Sequence, residues 1–442
     1  MIRLTLLLTG AAALQRRWPA LMGCGLAACA LALLILADLV DGVTVVATHV
    51  FGWILVLSGV LGVLGMLSPQ LRANRMVLAR AVGLLVLGLL IVDIPWNNNI
   101  ANSLLFGLAF LIDGTLRIAG AWILRFQRWQ AAILSGAAEL GLAVLAMTNW
   151  PVTYQQTVPF SVALLLALNG ATLARMALAL RGIPPDGSIL SIRGFGPADW
   201  YERIDHARVA ELEDELAEAT MVVRVWTPTG SAEIATRRPV LDRYVAAVDK
   251  NGKISSGHAV LDFTPHLYIS HYPVEDNERP AASFLRQLRA TRENDVPGHF
   301  QPSYQHEVDT WFPADAHISF HRFNAARLLT HAAHYQSDTT YNFTRRNCSV
   351  AVAVALDAAL EGMGGSGPLW RRVPALLFNP DLWVAAALRH RAETLTWTPM
   401  LVYDYARALR RVVEPPPMHW PDRLRAAWRG WRESRRREGT RT

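Results

Sequence analysis

The stretch PFSVALLLALNGATLARMALAL, residues 159–180, runs directly into RGIPPDGSILSIRGFGPAD, residues 181–199. That junction decides how the chain is organised. The first segment holds one charge, Arg175, and matches the about 20 apolar residues that cross a bilayer core. The second carries Pro184, Pro185 and Pro197 among Gly182, Gly187, Gly194 and Gly196. Such a composition interrupts helices and strands and reads as a linker.

Upstream of the junction, charges are sparse, and His49 is the only histidine in the first 182 residues. Apolar runs predict spans near 20–37, 46–67, 76–94, 101–123, 130–148 and 159–180. Arginine counting orients them. Arg3, Arg16 and Arg17 flank the first span, Arg72, Arg75 and Arg80 follow the second, and Arg125 and Arg128 follow the fourth. The alternate loops carry Asp38, Asp41, Asp93 and Asn97 to Asn99, or no charge. Both termini are therefore expected on the cytoplasmic side of a cytoplasmic membrane that the protein crosses several times. Residues 1–14 are apolar with one arginine, as a signal peptide would be, but no small-residue cleavage site follows. They read as an interfacial or partly inserted helix.

The net charge of +7 is almost wholly arginine, since Lys250 and Lys253 are the only lysines. With the excess in span-flanking loops and in the tail beyond Arg423, it reports topology and an anionic membrane surface rather than nucleic-acid binding. Cys24, Cys29 and Cys348 offer neither a disulfide framework nor zinc spacing. No cofactor motif, Gly-rich phosphate loop or GxSxG elbow is present. His317/His321 and His331/His334 have metal-like spacing without a carboxylate partner pattern, so no metal site is assigned.

The apolar half repeats internally. Leu57-Ser58-Gly59, Ile112-Asp113-Gly114 and Leu168-Asn169-Gly170 recur in the second, fourth and sixth spans, and Gly83 and Gly88 recur as Gly136 and Gly141. Small residues let helices approach closely in lipid. Three Gly-rich hairpins with short loops resemble the HdeD family of bacterial acid-resistance membrane proteins. Asp113, Glu139 and Asn169 fall near mid-depth, and Arg117, four residues after Asp113, is spaced to pair with it; the group reads as a structural pair or as a transport site.

Downstream, residues 200–219 read as a charged spacer helix. Strand signals follow at 221–227, 244–250, 253–263 and 267–272, with Asn251-Gly252 as a hairpin turn. The last three form an expected meander. A turn of two or four residues at Thr264-Pro265 would put His258 and His271 on one face, with Asp262 sharing it. Residues 274–316 look irregular. Ile318 to Phe320 reads as a strand, and Asn324 caps a helix to about Tyr335. Val350 to Leu360 alternates like a strand, but Asn347 as N-cap, abundant alanine and Gly362 as a stop favour a helix. Residues 370–442 look helical, with tryptophans and arginines interleaved beyond Trp420.

Cys348 then opens a helix, where unpaired N–H groups and the dipole favour a thiolate, and Arg345 and Arg346 add positive potential. Such a thiol needs a base, and His258 on a strand is a rigid one. His271 is the first candidate to orient the imidazole and Asp262 the second. Gly257 to Phe263, Tyr268 to Pro273 and Tyr341 to Leu356 hold histidine on a strand, a polar residue on the next, then Asn-Cys opening a helix. That order resembles the circularly permuted papain-like (NlpC-type) superfamily, which includes bacterial amidases and lipid-processing acyltransferases. The resemblance implies Cys348 as nucleophile, His258 as base and His271 as the third polar residue.

The expectation is an all-α polytopic membrane domain of six helices in three hairpin repeats (1–182), then a linker with a charged helix (183–220). An α+β soluble domain with a small antiparallel sheet follows, permuted papain-like (221–369), and then a helical region with a basic tail (370–442). Function is expected to be a membrane-anchored cysteine hydrolase or acyltransferase acting through an acyl-Cys348 intermediate on a lipid, lipoprotein-like or peptide substrate. Two other readings stand beside it: a stress-response membrane protein whose soluble part is a non-catalytic binding module, and a transporter using Asp113 and Glu139.

Overall fold

The computed structural model describes residues 1–41, 46–65, 75–92, 98–126, 129–184, 187–192, 195, 219–227, 247–248, 254–255, 257–274, 288–394 and 396–415. The spacer helix expected at 200–219, the turn at Asn251-Gly252 and the tail beyond 415 lie outside them. In the N-terminal part the helices are α1 (Ile2–Thr9), α2 (Ala11–Gln15), α3 (Trp18–Asp41), α4 (Val46–Gly65), α5 (Arg75–Ile91), α6 (Asn99–Leu124), α7 (Trp129–Thr148) and α8 (Tyr154–Arg181). Then come β1 (Met221–Trp226), β2 (Ala247–Val248), β3 (Ile254–Ser255), β4 (His258–Phe263), β5 (Leu267–Ile269), β6 (His271–Pro273), β7 (Val296–Phe300), α9 (Tyr304–Thr310) and β8 (Ala316–Phe320). The chain continues through α10 (Ala325–Gln336), β9 (Thr340–Tyr341), α11 (Cys348–Leu360), α12 (Leu369–Leu377), α13 (Pro380–Thr394) and α14 (Pro399–Val413).

These elements fall into two compact units. One comprises residues 19–115 and 136–175 among those described, and the other residues 1–18, 116–135 and 176–415. In the first unit, helices occupy each of the six apolar stretches. Among the described residues four helices, α3, α6, α7 and α8, are long and apolar enough to cross a membrane. Ala32, Ile35, Ile91, Val158, Val162 and Ala163 form a shared core. The three repeat glycines each allow a close helix crossing. A Cβ on Gly59 would stand 2.5 Å from the Leu85 nitrogen of α5, one on Gly114 2.8 Å from the Gly136 oxygen of α7, and one on Gly170 2.7 Å from the Gly25 oxygen of α3. The repeat therefore joins each hairpin to the next, and the third back to the first.

In the second unit a four-stranded antiparallel sheet has the order β5-β4-β1-β8. The meander expected from 244–272 is not one sheet. β1 rather than residues 244–250 lies beside β4, β2 and β3 pair apart, and β6 leaves at Ser270 to pair with β7 in the sheet β6-β7-β9. Alternation along β1 and β4 divides their side chains. Trp226 and Val260 pack with Tyr268 against Tyr304 and Phe312. Val223, Val225, Ala259 and Leu261, all sealed, turn to the other face, where α11 and α14 lie against the strands. Asn347 caps α11 by accepting from the Val350 N–H at 2.8 Å, and Asn324 caps α10 from Arg327 at 3.0 Å. Gly362 follows α11 with φ +83°, a backbone conformation that a side chain resists.

The N-terminal residues do not form the interfacial helix expected of them. α1 is an internal part of the second unit, with Leu4, Leu6, Leu7 and Leu8 buried. The Leu7 and Leu8 carbonyls accept from the Gly362 and Gly364 N–H groups, and Arg372 donates to the Leu8, Thr9 and Gly362 carbonyls. The Glu361 carboxylate accepts from the Ala11 and Ile189 N–H groups and the Ser188 hydroxyl, with Arg327 at 3.7 Å.

Candidate active site

The segment preceding α11 is built to deliver Cys348. The Asn342 side chain accepts from the Thr344 and Arg345 N–H groups, closing a turn that the Asn342–Arg346 bridge completes. The Asn347 amide donates to the Phe343 carbonyl at 2.6 Å while its oxygen caps the helix. Cys348 is thus held as the first residue of α11, against β4. The Ala259 N–H, one residue beyond His258, is near enough to favour its thiolate. Its other close partner is the Ser349 hydroxyl at 3.7 Å. Burial pushes the thiol up from its ordinary range, offset by the hydrogen bonds of Ser349 and Ala259.

Arg345 and Arg346 are occupied elsewhere. Arg345 is paired with Asp295. Arg346 lies over the Tyr335 ring, its guanidinium donating to the Tyr335, Asp338 and Thr340 carbonyls. They brace the approach to α11 more than they charge the thiol.

His258 opens β4 and is almost fully buried. Its ring contacts Tyr272 at 4.1 Å between centroids and Trp226 at 5.6 Å. Nε2 lies 2.9 Å from the Ser270 hydroxyl, which donates to Glu307 at 2.8 Å. Because the single Ser270 proton goes to the carboxylate, Ser270 accepts from Nε2–H. The hydrogen-bond network therefore assigns the tautomer whose Nδ1 carries the lone pair. Among the described residues no hydrogen bond joins Nδ1 to the Cys348 sulfur. Burial, with His271 adding to it, holds the His258 imidazole down to about 3, so it is neutral.

Glu307 anchors this group from α9. It accepts from the Tyr268 hydroxyl and from Ser270, and lies 3.6 Å from His258. Burial raises its carboxyl, and the hydrogen bonds pull the other way. Trp311, stacked on Trp226 at 5.8 Å, is 44% exposed, so a pile of rings leads from the imidazole to the surface.

The register explains why His271 lies elsewhere. β4 and β5 pair Leu261 with Ile269 and Phe263 with Leu267, which leaves a three-residue turn rather than two or four. Asp262 fixes that turn by accepting from the Thr264 N–H and hydroxyl. A one-residue slip exchanges the faces, so Tyr272 and Ser270, not His271, share the face of His258. His271 instead packs on Phe300 and Tyr341, with Nδ1 3.3 Å from the Tyr335 hydroxyl and Nε2 3.3 Å from the Thr339 carbonyl. Burial lowers it to about 4. Asp262 is held by Arg224 at 2.9 Å and by the turn, away from the imidazole.

Ser270 and Glu307 were not read from the sequence as site residues. Ser270 needed the correct turn length. Glu307 sits in a stretch without periodicity, where only Ser303, whose hydroxyl caps α9 by accepting from the His306 N–H, announces a helix. The histidines with metal-like spacing are dispersed: His321 meets Thr220, and His331 packs on Tyr335.

No family model, curated protein or solved structure matches the chain.

Proposed function

We propose that the protein is a membrane-anchored cysteine hydrolase or acyltransferase, with Cys348 as nucleophile and His258 as base. The observation that carries this reading is the relay Glu307–Ser270–His258. It fixes the imidazole with its basic nitrogen free of the relay, one residue before Ala259, whose N–H favours the Cys348 thiolate. In the reaction, Nδ1 takes the thiol proton and the thiolate adds to an amide, ester or thioester carbonyl. The protonated imidazole gives its proton to the leaving group, and the acyl-Cys348 bond is resolved by water or another acceptor. Backbone N–H groups at the start of α11 are the donors available to the oxyanion. Ser270 takes the third position that the papain-like resemblance assigned to His271. The same reading has all of α3 to α8 crossing a bacterial inner membrane in three HdeD-like hairpins, with the catalytic unit in the cytoplasm and a lipid-linked or peptide acyl donor.

The test is labelling of Cys348 by an electrophilic acyl or vinyl probe in the folded, membrane-reconstituted protein, alongside turnover of acyl-lipid and peptide substrates. Cys348→Ala is expected to abolish both, and His258→Ala to lower labelling by about 10²-fold or more, the scale of general-base assistance. Labelling unchanged by His258→Ala would remove the dyad.

A second reading rests on the burial of Cys348, which is 8% exposed with its thiol raised. A buried thiol is also what a non-catalytic binding module would contain. In that case the probe reacts at the rate of global unfolding and substrate turnover is absent.

A further inference from the structure

α12 presents two unlike faces. One is pinned inside the second unit: Leu376 is buried, and the Arg372 guanidinium donates to the carbonyls of Leu8 (2.5 Å), Thr9 (3.0 Å) and Gly362 (2.7 Å). The other face carries Trp370, Pro374 and Phe378 at intervals of four, one above the next along a helix. Trp370 is 69% and Phe378 58% exposed, among the highest values for aromatic residues outside the long apolar helices. Burying such a stripe is favourable, and no element of the described protein covers it.

We propose that this face of α12 lies in the bilayer interface, with Trp370 and Phe378 at head-group depth and Arg371 against anionic phosphates. Three observations point to lipid as the occupant. First, Arg371 sits over the Trp370 ring at 4.5 Å. Among the described residues the other arginine–tryptophan stacks stand at the ends of long apolar helices: Arg181 over Trp18 at 5.1 Å, and Arg125 over Trp122 and Trp129 at 5.5 and 5.2 Å. Tryptophan and arginine together mark the head-group region. Second, α12 is bonded to the Thr9 carbonyl, and Thr9 lies only nine positions before Trp18, where α3 begins. A chain of that length reaches at most about 30 Å, so the helix cannot be far from the membrane surface. Third, that tether carries exposed Arg16 and Arg17, so the charge around α12 suits anionic lipid. The proposal is independent of Cys348 chemistry.

The experiment places a nitroxide at residue 378 of the full chain, in a Cys24→Ser, Cys29→Ser, Cys348→Ala background. The protein is reconstituted into phosphatidylcholine vesicles with and without phosphatidylglycerol. Collision with oxygen, which concentrates in lipid, is compared with collision with a water-soluble nickel chelate, taking exposed Glu293 as the control position. The expected result is an oxygen-to-nickel ratio several-fold higher at 378 than at 293, rising with phosphatidylglycerol. A ratio equal to that at 293 would overturn the proposal. So would a label shielded from both reagents, as a protein partner or a second copy would leave it. A photoreactive amino acid at 378 in the otherwise unaltered chain gives a second measurement: cross-links to phospholipid are expected, and cross-links only to protein would overturn it.

Discussion

At the scale of single residues, the candidate site depends on one hydroxyl having one proton. Ser270 donates it to Glu307 and must accept from His258, which leaves Nδ1 as the base. Ser270→Ala breaks this relay without touching either Cys348 or the acyl group. The expected outcome is a kcat lower by about 10²-fold with KM little changed, and Ser270→Thr, which keeps the hydroxyl, should recover most of the loss. Steady-state kinetics on whichever acyl donor labels Cys348 would check both. The two buried histidines also make stability depend on pH. Each has a folded-state value below the ordinary 6.5, His258 at about 3 and His271 at about 4. The unfolded chain therefore binds more protons in that window. Their neutral forms stabilise the fold fully above pH 6.5, and this contribution is lost as pH falls from 6.5 toward 4. Thermal melts of the His258→Asn, His271→Asn pair should show a flatter acid limb than the parent.

At the scale of elements, caps and crossings do the positioning. Asn347→Ala removes the acceptor for the Val350 N–H and three further contacts of the side-chain amide, to Phe343, Thr396 and Trp397. A loss of about 1–2 kcal/mol in unfolding free energy is expected, with slower Cys348 labelling, measured by denaturant titration and probe kinetics. In the apolar unit, Gly59→Ala puts a methyl 2.5 Å from a backbone nitrogen of α5. Overpacking of that kind costs about 1–3 kcal/mol, readable as a lower melting temperature in detergent, whereas Gly83→Ala, with open space around its Cβ position, should cost little. Much of this was legible beforehand. The capped helices at Asn324 and Asn347 and the six apolar helices follow from local chemistry that the sequence displays. The sheet was less legible, because strand order is set by partners far apart in the chain. Nothing near residue 258 announces that β1 will lie beside it. The turn at Thr264 was misjudged by one residue because a side chain, Asp262, rather than the backbone alone, closes it.

At the scale of the whole molecule, the second unit draws on widely separated parts of the chain. Glu361 gathers Ala11, Ser188 and Ile189 around one buried carboxylate, with Arg327 beside it. Glu361→Ala leaves two N–H groups and the Ser188 hydroxyl without their acceptor and removes the carboxylate beside Arg327, and a loss of about 3–5 kcal/mol is expected from breaking such a buried group. Differential scanning calorimetry should show the loss in the transition of this unit. Glu361→Gln, which still accepts from the N–H groups, should lose less.

The docking of α1 has a further consequence for biosynthesis. Ala11 and Glu361 are 350 positions apart, so α1 leaves the ribosome long before the segment in which its leucines find their seats. Until then an oily peptide has to be kept from the other apolar surfaces made in the interval. A bulky fusion ahead of Met1 would sit beside that late-closing joint, and a nascent chain stalled short of Gly362 would leave the Leu7 and Leu8 carbonyls of α1 without the N–H donors that hold it down.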